Sequence, residues 1–397
     1  MRDEALVVSN ESDLDFVGGG PFFRLQNRLG WIREGLSIPR RIAWAIALTW
    51  VPLCVLSFLQ HRALGATPRE SFLLDFATHA RFLLTVPLLI AAESVVAPRL
   101  ASAGKHFARA GFIRARDGEA FERAIAGVAR WRDSAWAEGI LLAIALVGSW
   151  TLNYEKWYEH ATLTWRVVPV GGGERLSLAG LWFHAVALPI LQFLWLRWLW
   201  RLLVWARFLH AMSRLDLDLL PTHADAAGGL GFVGTAQSSV GILALALGFP
   251  FSGDVAFRVL YEETKLSTFE VPLAFYLLAC VLIFLSPPVV FFSKLTRARR
   301  EGLKSYSLLV DEYNRAFHEK WMRGKAPESE ALLGSADIQS LADLGNAYDR
   351  IKQMRSLPFG RKTIAEILGY ALLPILPLVF LVVPIGEILK FLGKAIF

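Results

Sequence analysis

Residues 179–205 read AGLWFHAVALPILQFLWLRWLWRLLVW, and Arg197 and Arg201 are the only arginine, lysine, aspartate or glutamate residues among them. A helix of about 20 apolar residues crosses the roughly 30 Å of hydrocarbon in a bilayer. An unpaired backbone group inside that layer costs several kcal/mol, so a single spanning segment has to be helical. This stretch therefore predicts a transmembrane helix.

Six more apolar stretches of comparable character occur along the 397-residue chain, whose mean hydropathy is +0.42. Hydrophobic residues make up 54% of the sequence, more than one soluble core needs. We therefore predict an all-α fold, a polytopic transmembrane helix bundle. The seven predicted spans are residues 42–60, 80–98, 136–152, 179–205, 235–253, 271–293 and 363–384.

The basic residues are distributed unevenly between the two sides that these spans define. Of 42 Lys and Arg residues, 30 fall in alternate gaps that share a side with the N-terminus, 9 fall on the other side and three lie within spans. Because basic loops stay inside, this predicts a cytoplasmic N-terminus. The same bias explains the net charge of +7 without a basic stripe for nucleic acid, so we expect no nucleic-acid partner.

The composition of the chain divides it into four regions. The acidic and glycine-containing start, residues 1–40, predicts a flexible cytoplasmic tail. Residues 41–293 form the membrane bundle, with an amphipathic cytoplasmic segment at 99–134 that mixes aromatic residues and arginines. Residues 294–361 predict a cytoplasmic helical region, and residues 362–397 a transmembrane or re-entrant segment. No strand pattern or repeat is evident.

Charged residues inside the predicted spans are candidates for function. Arg197 and Arg201 are four apart and share one helix face, where they repel each other unless paired or solvated. Glu93 lies at a similar depth in the second span. Both arginines either reach the cytoplasmic interface or point into the bundle and meet Glu93. In the second case we favour an intramembrane ion pair that clamps the bundle over an ion or proton pathway.

The last span is interrupted by prolines, among them Pro374 and Pro377. Each proline removes a helix hydrogen bond. A broken helix at membrane depth persists only where protein or a water-filled cavity satisfies the freed carbonyl groups. We favour a kinked packing helix, and the alternative is a pore lined by this segment and by the surroundings of Glu93, which would prefer cations.

The loop at residues 220–232, LPTHADAAGGLGF, contains His223, Asp225 and the glycines Gly228, Gly229 and Gly231. Glycines allow close backbone approach, and the following helix start offers free amides to an anion or carboxylate ligand. The spacing fits neither a dinucleotide fingerprint nor a P-loop. The structural alternative is that Asp225 caps a helix while His223 bonds within the loop.

Asp75, His79 and Arg81 lie within two helical turns at the outer end of the second span. They either anchor the helix end or line a periplasmic mouth with titratable groups.

Signatures of catalysis and of cofactors are missing from the sequence. We find no Gly-x-Ser-x-Gly, no His-Glu-x-x-His and no paired carboxylates on one span. The two cysteines, Cys54 and Cys280, both fall in predicted spans without neighbouring ligands. We therefore expect no enzyme, no cofactor and no metal.

Short motifs spread over most of the chain from about residue 40 resemble those of a group of uncharacterised bacterial inner-membrane proteins. The motifs are Arg81-Phe82-Leu83, Pro87-Leu88-Leu89, Ala92-Glu93, Leu178 to Trp182, Phe193, Arg197-Trp198, Trp205, Pro221-Thr222-His223, Asp225, Gly228 to Phe232, Met354-Arg355 and Leu357-Pro358-Phe359. The resemblance implies a bacterial inner-membrane location and supplies no activity. Here Ala224 stands where the group has proline, which makes a rigid catalytic turn less apt.

Three functions remain open from the sequence. The first is a homo-oligomeric channel or carrier for small ions or solutes, favoured by the polar groups and prolines inside spans. The second is a non-catalytic sensor or scaffold with a cytoplasmic protein partner. The third is a membrane enzyme that acts on a lipid-linked substrate through His223 and Asp225. In each case membrane lipid surrounds the chain.

Overall fold

The computed structural model describes residues 14–31, 37–158, 164–170, 173–327 and 330–382. It is 77% helical, which confirms the all-α class. One antiparallel hairpin departs from that prediction, with β1 (Val167–Val170) paired to β2 (Gly173–Leu176). Each strand has four residues, too few for an alternating pattern to stand out in the sequence.

Fifteen helices occur in the described residues. In chain order they are α1 (Gly20–Arg28), α2 (Ser37–Leu59), α3 (Phe76–His79), α4 (Val86–Arg109), α5 (Gly118–Arg132), α6 (Ala135–Tyr158), α7 (Leu178–Trp182), α8 (Leu188–Arg214), α9 (Gly231–Ser238), α10 (Gly241–Tyr261), α11 (Glu270–Leu285), α12 (Phe292–Phe317), α13 (Ala336–Gln353), α14 (Arg361–Leu372) and α15 (Leu376–Val382). Short π-helical segments join α3 to α4 and α7 to α8, so each pair forms one long rod.

By length and composition, five rods can cross a membrane, as an integral membrane protein requires. They are Ile38–Leu59, Phe76–Arg109, Leu178–Arg214, Gly231–Tyr261 and Leu266–Leu285. They correspond to five of the predicted spans. The span predicted at 136–152 lies in α6, which makes a sixth candidate together with α5 across a bend of 41°. The described residues thus contain five or six candidate spans, and the predicted total of seven is not reached.

The seventh predicted span, residues 363–384, is two helices. α14 has 12 residues and α15 has seven, and the chain breaks between them at residues 373–375. Neither helix is long enough to cross by itself. Residues beyond 382 lie outside the described part of the chain, so a crossing at this position stays a prediction.

The core of the bundle lies around α8. Trp198 and Trp205 are buried along this helix, and each indole N–H has a partner. Trp198 donates to the carbonyl of Leu89 at 2.9 Å and Trp205 to the amide oxygen of Gln237 at 3.0 Å. Because α8 is bonded to α4 and α9 in this way, it fixes their positions.

The start of the described chain is packed into this core. Leu14 and Phe16 are fully buried, and the Phe16 ring lies edge-on to Trp205 and Phe208 at 4.8 and 5.0 Å. The prediction of a flexible tail over residues 1–40 is therefore wrong for residues 14–28. Isolated apolar residues among acidic and glycine residues do not form a hydrophobic run, so only the pocket that receives them reveals their role. Residues 1–13 lie outside the description.

Loops that the sequence places on the N-terminal side meet at one end of the bundle. The amide of Asp218 donates to the carbonyl of Phe112 at 3.0 Å, and the amide of Arg355 donates to the carbonyl of Ala226 at 2.8 Å. We call this the basic end, and it is formed by residues 105–132, 215–230, 294–327 and 330–361.

The remaining loops meet at the opposite end of the bundle. Arg69 pairs with Glu262 at 2.6 Å, and Arg166 pairs with Asp75 at 2.8 Å. The opposite end is formed by residues 62–75, 164–170, 173–177 and 262–269.

Candidate functional site

A network of buried charges lies inside the bundle towards the basic end. The Glu93 carboxylate on α4 is bonded to three guanidinium groups, those of Arg41 at 2.6 Å, Arg201 at 2.9 Å and Arg197 at 3.3 Å. Arg197 also donates through Nε to Glu138 on α6 at 3.0 Å. We call these five residues the charge network. Three cations share two carboxylates, and the network joins α2, α4, α6 and α8.

The N-terminal segment attaches directly to this network. Arg197 Nη2 donates to the carbonyl of Gly19 at 2.9 Å. The amide of Phe22, at the start of α1, donates to Glu138 Oε2 at 2.7 Å. A carboxylate at a helix N-terminus satisfies a free amide and is favoured by the helix dipole. The network therefore holds both the core helices and the first described helix.

Glycine is required at the point of attachment. Gly20 has φ +89°, and its amide donates to Asp133 Oδ1 at 2.8 Å. A Cβ at Gly20 would lie 2.5 Å from Glu138 Oε1. Gly19 also has positive φ, at +137°. The glycine run that ends the predicted tail is thus the part that allows close docking.

The sequence argument placed part of this network correctly. Glu93 and Arg197, expected to meet at equal depth, are bonded, and Arg201 joins them. Arg41 and Glu138 were missed. Each lies at the edge of a predicted span, and an ionisable residue at such an edge is the signal that was available. The arrangement suits a structural clamp, since Arg197 and Arg201 are only 3% and 5% exposed and both are paired.

The Asp225 carboxylate occupies the anion site predicted in the loop. It accepts hydrogen bonds from the amides of Ala227 at 2.8 Å, Gly229 at 3.1 Å and Gly231 at 2.7 Å, and it lies 2.9 Å from His223 Nδ1. Burial raises the pKa of Asp225, but these amides and His223 lower it more, so the pKa lies below its usual value. The amides expected to bind an external anion are bonded to the chain's own carboxylate.

Glycines of the same loop serve its packing. Gly228 and Gly229 have φ of +63° and +96°, and a Cβ at Gly229 would lie 2.6 Å from a ring carbon of Phe112. Arg355, beyond α13, donates through Nη2 to the carbonyl of Asp225 at 2.8 Å. The loop is thus fixed to α4's end and to the segment after α13.

The Asp75 carboxylate at the opposite end is surrounded by donors. It accepts from Trp165 Nε1 at 2.9 Å, Arg166 Nη2 at 2.8 Å and Thr78 Oγ1 at 2.8 Å. Burial raises the pKa of Asp75, but the charges of Arg166 and Arg81 outweigh it and lower the pKa. Asp75 and Arg81 were expected to lie close together, whereas Trp165 and Arg166 are distant in sequence and were missed.

His79, the third member of that predicted cluster, bonds elsewhere. Its Nδ1 accepts from Trp50 Nε1 at 2.9 Å, and its Nε2 lies 3.2 Å from the carbonyl of Leu73. Because an indole N–H can only donate, Nδ1 is the acceptor and Nε2 carries the proton. Both ring nitrogens are engaged in holding the opposite end together.

The proline break between α14 and α15 is satisfied by protein. The Ile375 amide bonds to Leu372 at 2.8 Å, which leaves the Ala371 carbonyl without its usual helical donor. The Tyr276 hydroxyl on α11 lies 3.2 Å from that oxygen and 2.9 Å from the carbonyl of Ala244, and its single hydrogen is shared between them. Pro374 packs closely against Gly248 on α10, since a Cβ at Gly248 would lie 2.9 Å from Pro374 Cγ. The break around Pro374 and Pro377 therefore has the contacts of a kinked packing helix.

Comparison of the chain with protein-family models, with curated proteins and with solved structures returns no match. The resemblance to the group of bacterial inner-membrane proteins stays a prediction. Within the part of the chain that the structure describes, no three His, Cys, Asp or Glu side chains group as metal ligands do. Function is therefore inferred from the geometry of this chain.

Proposed function

We propose that the protein is a non-catalytic membrane scaffold or sensor that presents a helical hairpin to a cytoplasmic partner protein. The observation that carries the proposal is a set of large apolar side chains exposed on the hairpin formed by α12 and α13. In this proposal the basic end faces the cytoplasm of a bacterial inner membrane, as the distribution of arginine and lysine predicts.

The hairpin has a regular inner face. On α12, partly buried side chains recur every three or four residues, as in an antiparallel pair of packed helices. They are Leu303, Tyr306, Val310, Tyr313 and Phe317. On α13 the corresponding partly buried residues are Leu341, Leu344 and Tyr348.

Polar contacts hold both ends of the hairpin. Near the tip, Asp337 at the start of α13 accepts from Lys320 at 2.8 Å and from Trp321 Nε1 at 2.9 Å. Near the base, Arg299 Nη2 donates to the carbonyl of Lys352 at 2.8 Å. The hairpin therefore has a defined shape that a partner can recognise.

The outer face of the hairpin is unusually apolar for a surface in water. Leu308 is 64% exposed and Leu309 48% exposed, and near the tip Met322 and Leu333 are 69% and 88% exposed. Leu308 lies 16 residues after Phe292, or roughly 24 Å of helix beyond the start of α12. Apolar patches of this kind on a charged helix are typical of protein interaction sites.

The channel or carrier favoured by the sequence receives no added support. Among its pathway candidates, Arg197 and Arg201 are both bonded to Glu93, and the break that contains Pro374 is in contact with Tyr276. Paired charges of this kind suit a structural clamp. The enzyme hypothesis rests on His223 and Asp225, which bond within their own loop.

Site-specific photo-crosslinking tests the partner. A photoreactive residue at Leu309 should give a heterologous adduct in cells, whereas the same residue at Asn314, exposed on another face of α12, should not. Leu308→Glu combined with Leu309→Glu should abolish the complex without changing expression. Adducts of two copies of this chain, or equal adducts at both positions, would count against a separate partner.

A variant with a shortened hairpin distinguishes the scaffold hypothesis from the channel hypothesis. The contacts between Arg299 and Lys352 and between Tyr313 and Asp337 place residue 304 opposite residue 347. Replacing residues 305–346 by a short glycine-serine linker therefore leaves the base intact. The shortened protein should remain folded in membranes and lose its partner. Ion flux through liposomes that contain the shortened protein would instead favour the channel.

A further inference from the structure

We propose that the groove between α5 and α8 binds an anionic phospholipid from the leaflet at the basic end. The phosphate would lie between Arg123 and Arg207, and an acyl chain would lie against Ile140 and Leu141 on α6. Two adjoining grooves and their charges carry this inference.

The first groove runs between α5 and α8 and has a volume of about 380 Å³. Its floor is apolar and includes Gly127 and Val128. Its rim carries Arg123, Arg207 and Arg214, and no carboxylate lines it. Small apolar floor residues leave room for a ligand, and the rim is cationic.

The rim cations are free to bind an anion. Among the described residues, Arg123 bonds only to the backbone carbonyl of Glu119, at 3.3 Å, and Arg207 only lies over the Trp131 ring, at 4.5 Å. Arg214 has no ion pair within the same described ranges. Arg197, by contrast, is bonded to two carboxylates and a carbonyl. Guanidinium groups without carboxylate partners are well suited to phosphate.

The second groove, of about 420 Å³, lies at the junction of α5 and α6 and is lined by Trp131, Ile140, Leu141 and Trp200. The two indole rings are stacked with centroids 5.2 Å apart. Because Arg207 lines the first groove and covers Trp131, which lines the second, the two grooves adjoin at this pair. They can hold one elongated ligand.

The position of each groove along the membrane normal matches one part of a phospholipid. Counting about 20 residues of α7 and α8 from Leu178 brings the edge of the hydrocarbon close to Trp200. Tryptophan is enriched at that depth. Ile140 beside it is 56% exposed on the outer face of α6. The second groove thus opens to hydrocarbon, and the first lies on the headgroup side, where basic pockets between helices bind anionic lipid headgroups.

A phospholipid explains both grooves better than a free anion or a protein helix. A free phosphate would use only the rim of the first groove. A partner helix would not require the groove to continue onto the lipid-facing side of α6. In the experiment, a site for free phosphate would show full competition by inorganic phosphate, and a site for a partner helix would show no preference for the anionic lipid.

Binding is measured on the full chain, purified in detergent and depleted of lipid, by native mass spectrometry with short-chain phosphatidylglycerol or phosphatidylcholine. The native chain should prefer phosphatidylglycerol by about tenfold or more, because its headgroup has a net negative charge, whereas the choline cation of phosphatidylcholine would face the rim arginines. Gly127→Leu should remove this binding by filling the groove. A Cβ at Gly127 meets nothing within 4 Å, and leucine favours helix, so the variant should fold.

Matched controls keep the result specific. Gly345→Leu on α13 also enters open space, and Arg300→Gln with Arg315→Gln removes two exposed charges away from the groove. Both should bind lipid as the native chain does, whereas Arg123→Gln with Arg207→Gln should lose the preference. Equal binding of the two lipids, unchanged binding in Gly127→Leu, or full competition by inorganic phosphate would overturn the proposal.

Discussion

Arg197 Nη2 donates to the carbonyl oxygen of Gly19 at 2.9 Å, across 178 positions of the chain. This bond fixes the first described segment to the central helix of the bundle. It also completes the hydrogen bonding of a guanidinium that already pairs with Glu93 and Glu138. The N-terminal segment is therefore part of the folded core at the basic end.

Gly20→Ala should destabilise the protein. The new Cβ would lie 2.5 Å from Glu138 Oε1, and alanine would have to adopt φ near +89°. A cost of about 1–3 kcal/mol is typical of such strain. Thermal unfolding in detergent measures it. Gly139→Ala, where a Cβ meets open space on α6, is the control and should be neutral or stabilising. Equal unfolding temperatures for both variants would argue against close docking.

Glu93→Gln should be among the most damaging single changes. It removes the charge that Arg41, Arg197 and Arg201 share and leaves buried cations poorly compensated. Breaking a buried pair in this way costs about 3–5 kcal/mol. Denaturant titration measures the loss. Adding Arg41→Gln to Glu93→Gln should recover part of it, because one excess cation is then removed. No recovery would mean that the network does not balance charge as described.

Asp225→Asn should lower stability at neutral pH and much less in acid. The pKa of Asp225 is lowered in the folded protein, so its contribution is present above the unfolded pKa. That contribution is lost as the pH falls below about 4 and through the folded pKa. Melting temperatures of the native chain and the variant, measured from pH 7 to pH 3, should therefore converge. A constant difference across this range would contradict the bonding of the carboxylate.

Tyr276→Phe should weaken the packing of α14 against α10 and α11. The hydroxyl lies 2.9 Å from the carbonyl of Ala244 and 3.2 Å from that of Ala371, so the variant removes the one buried donor that these two oxygens share. An unsatisfied buried group costs about 1–3 kcal/mol. Thermal unfolding gives the value, with Tyr261→Phe, at a half-exposed site, as the isosteric control. Similar losses in both variants would exclude a special role for the break.

Part of the site could be predicted because charge inside a membrane has to be compensated. Their similar depth made a pair of Glu93 and Arg197 one of two interpretations, and the structure places them 3.3 Å apart. Depth did not predict that Arg41 and Glu138 join this pair. Each lies at the edge of a span, where water can solvate a charge as well as a protein partner can. For the loop, the alternative in which Asp225 caps a helix agrees with its bond to the Gly231 amide at the start of α9.

The sequence by itself determined that this chain is a helical membrane protein and which loops share a side. Both properties follow from local runs of apolar residues and the basic residues beside them. Only the tertiary structure decided that residues 14–28 are docked, that the Tyr276 hydroxyl contacts the carbonyl of Ala371 at the break between α14 and α15, and that α5 and α8 enclose a cationic groove. These features are contacts between distant residues, whose free energy depends on shape and hydrogen-bond geometry that no local pattern encodes.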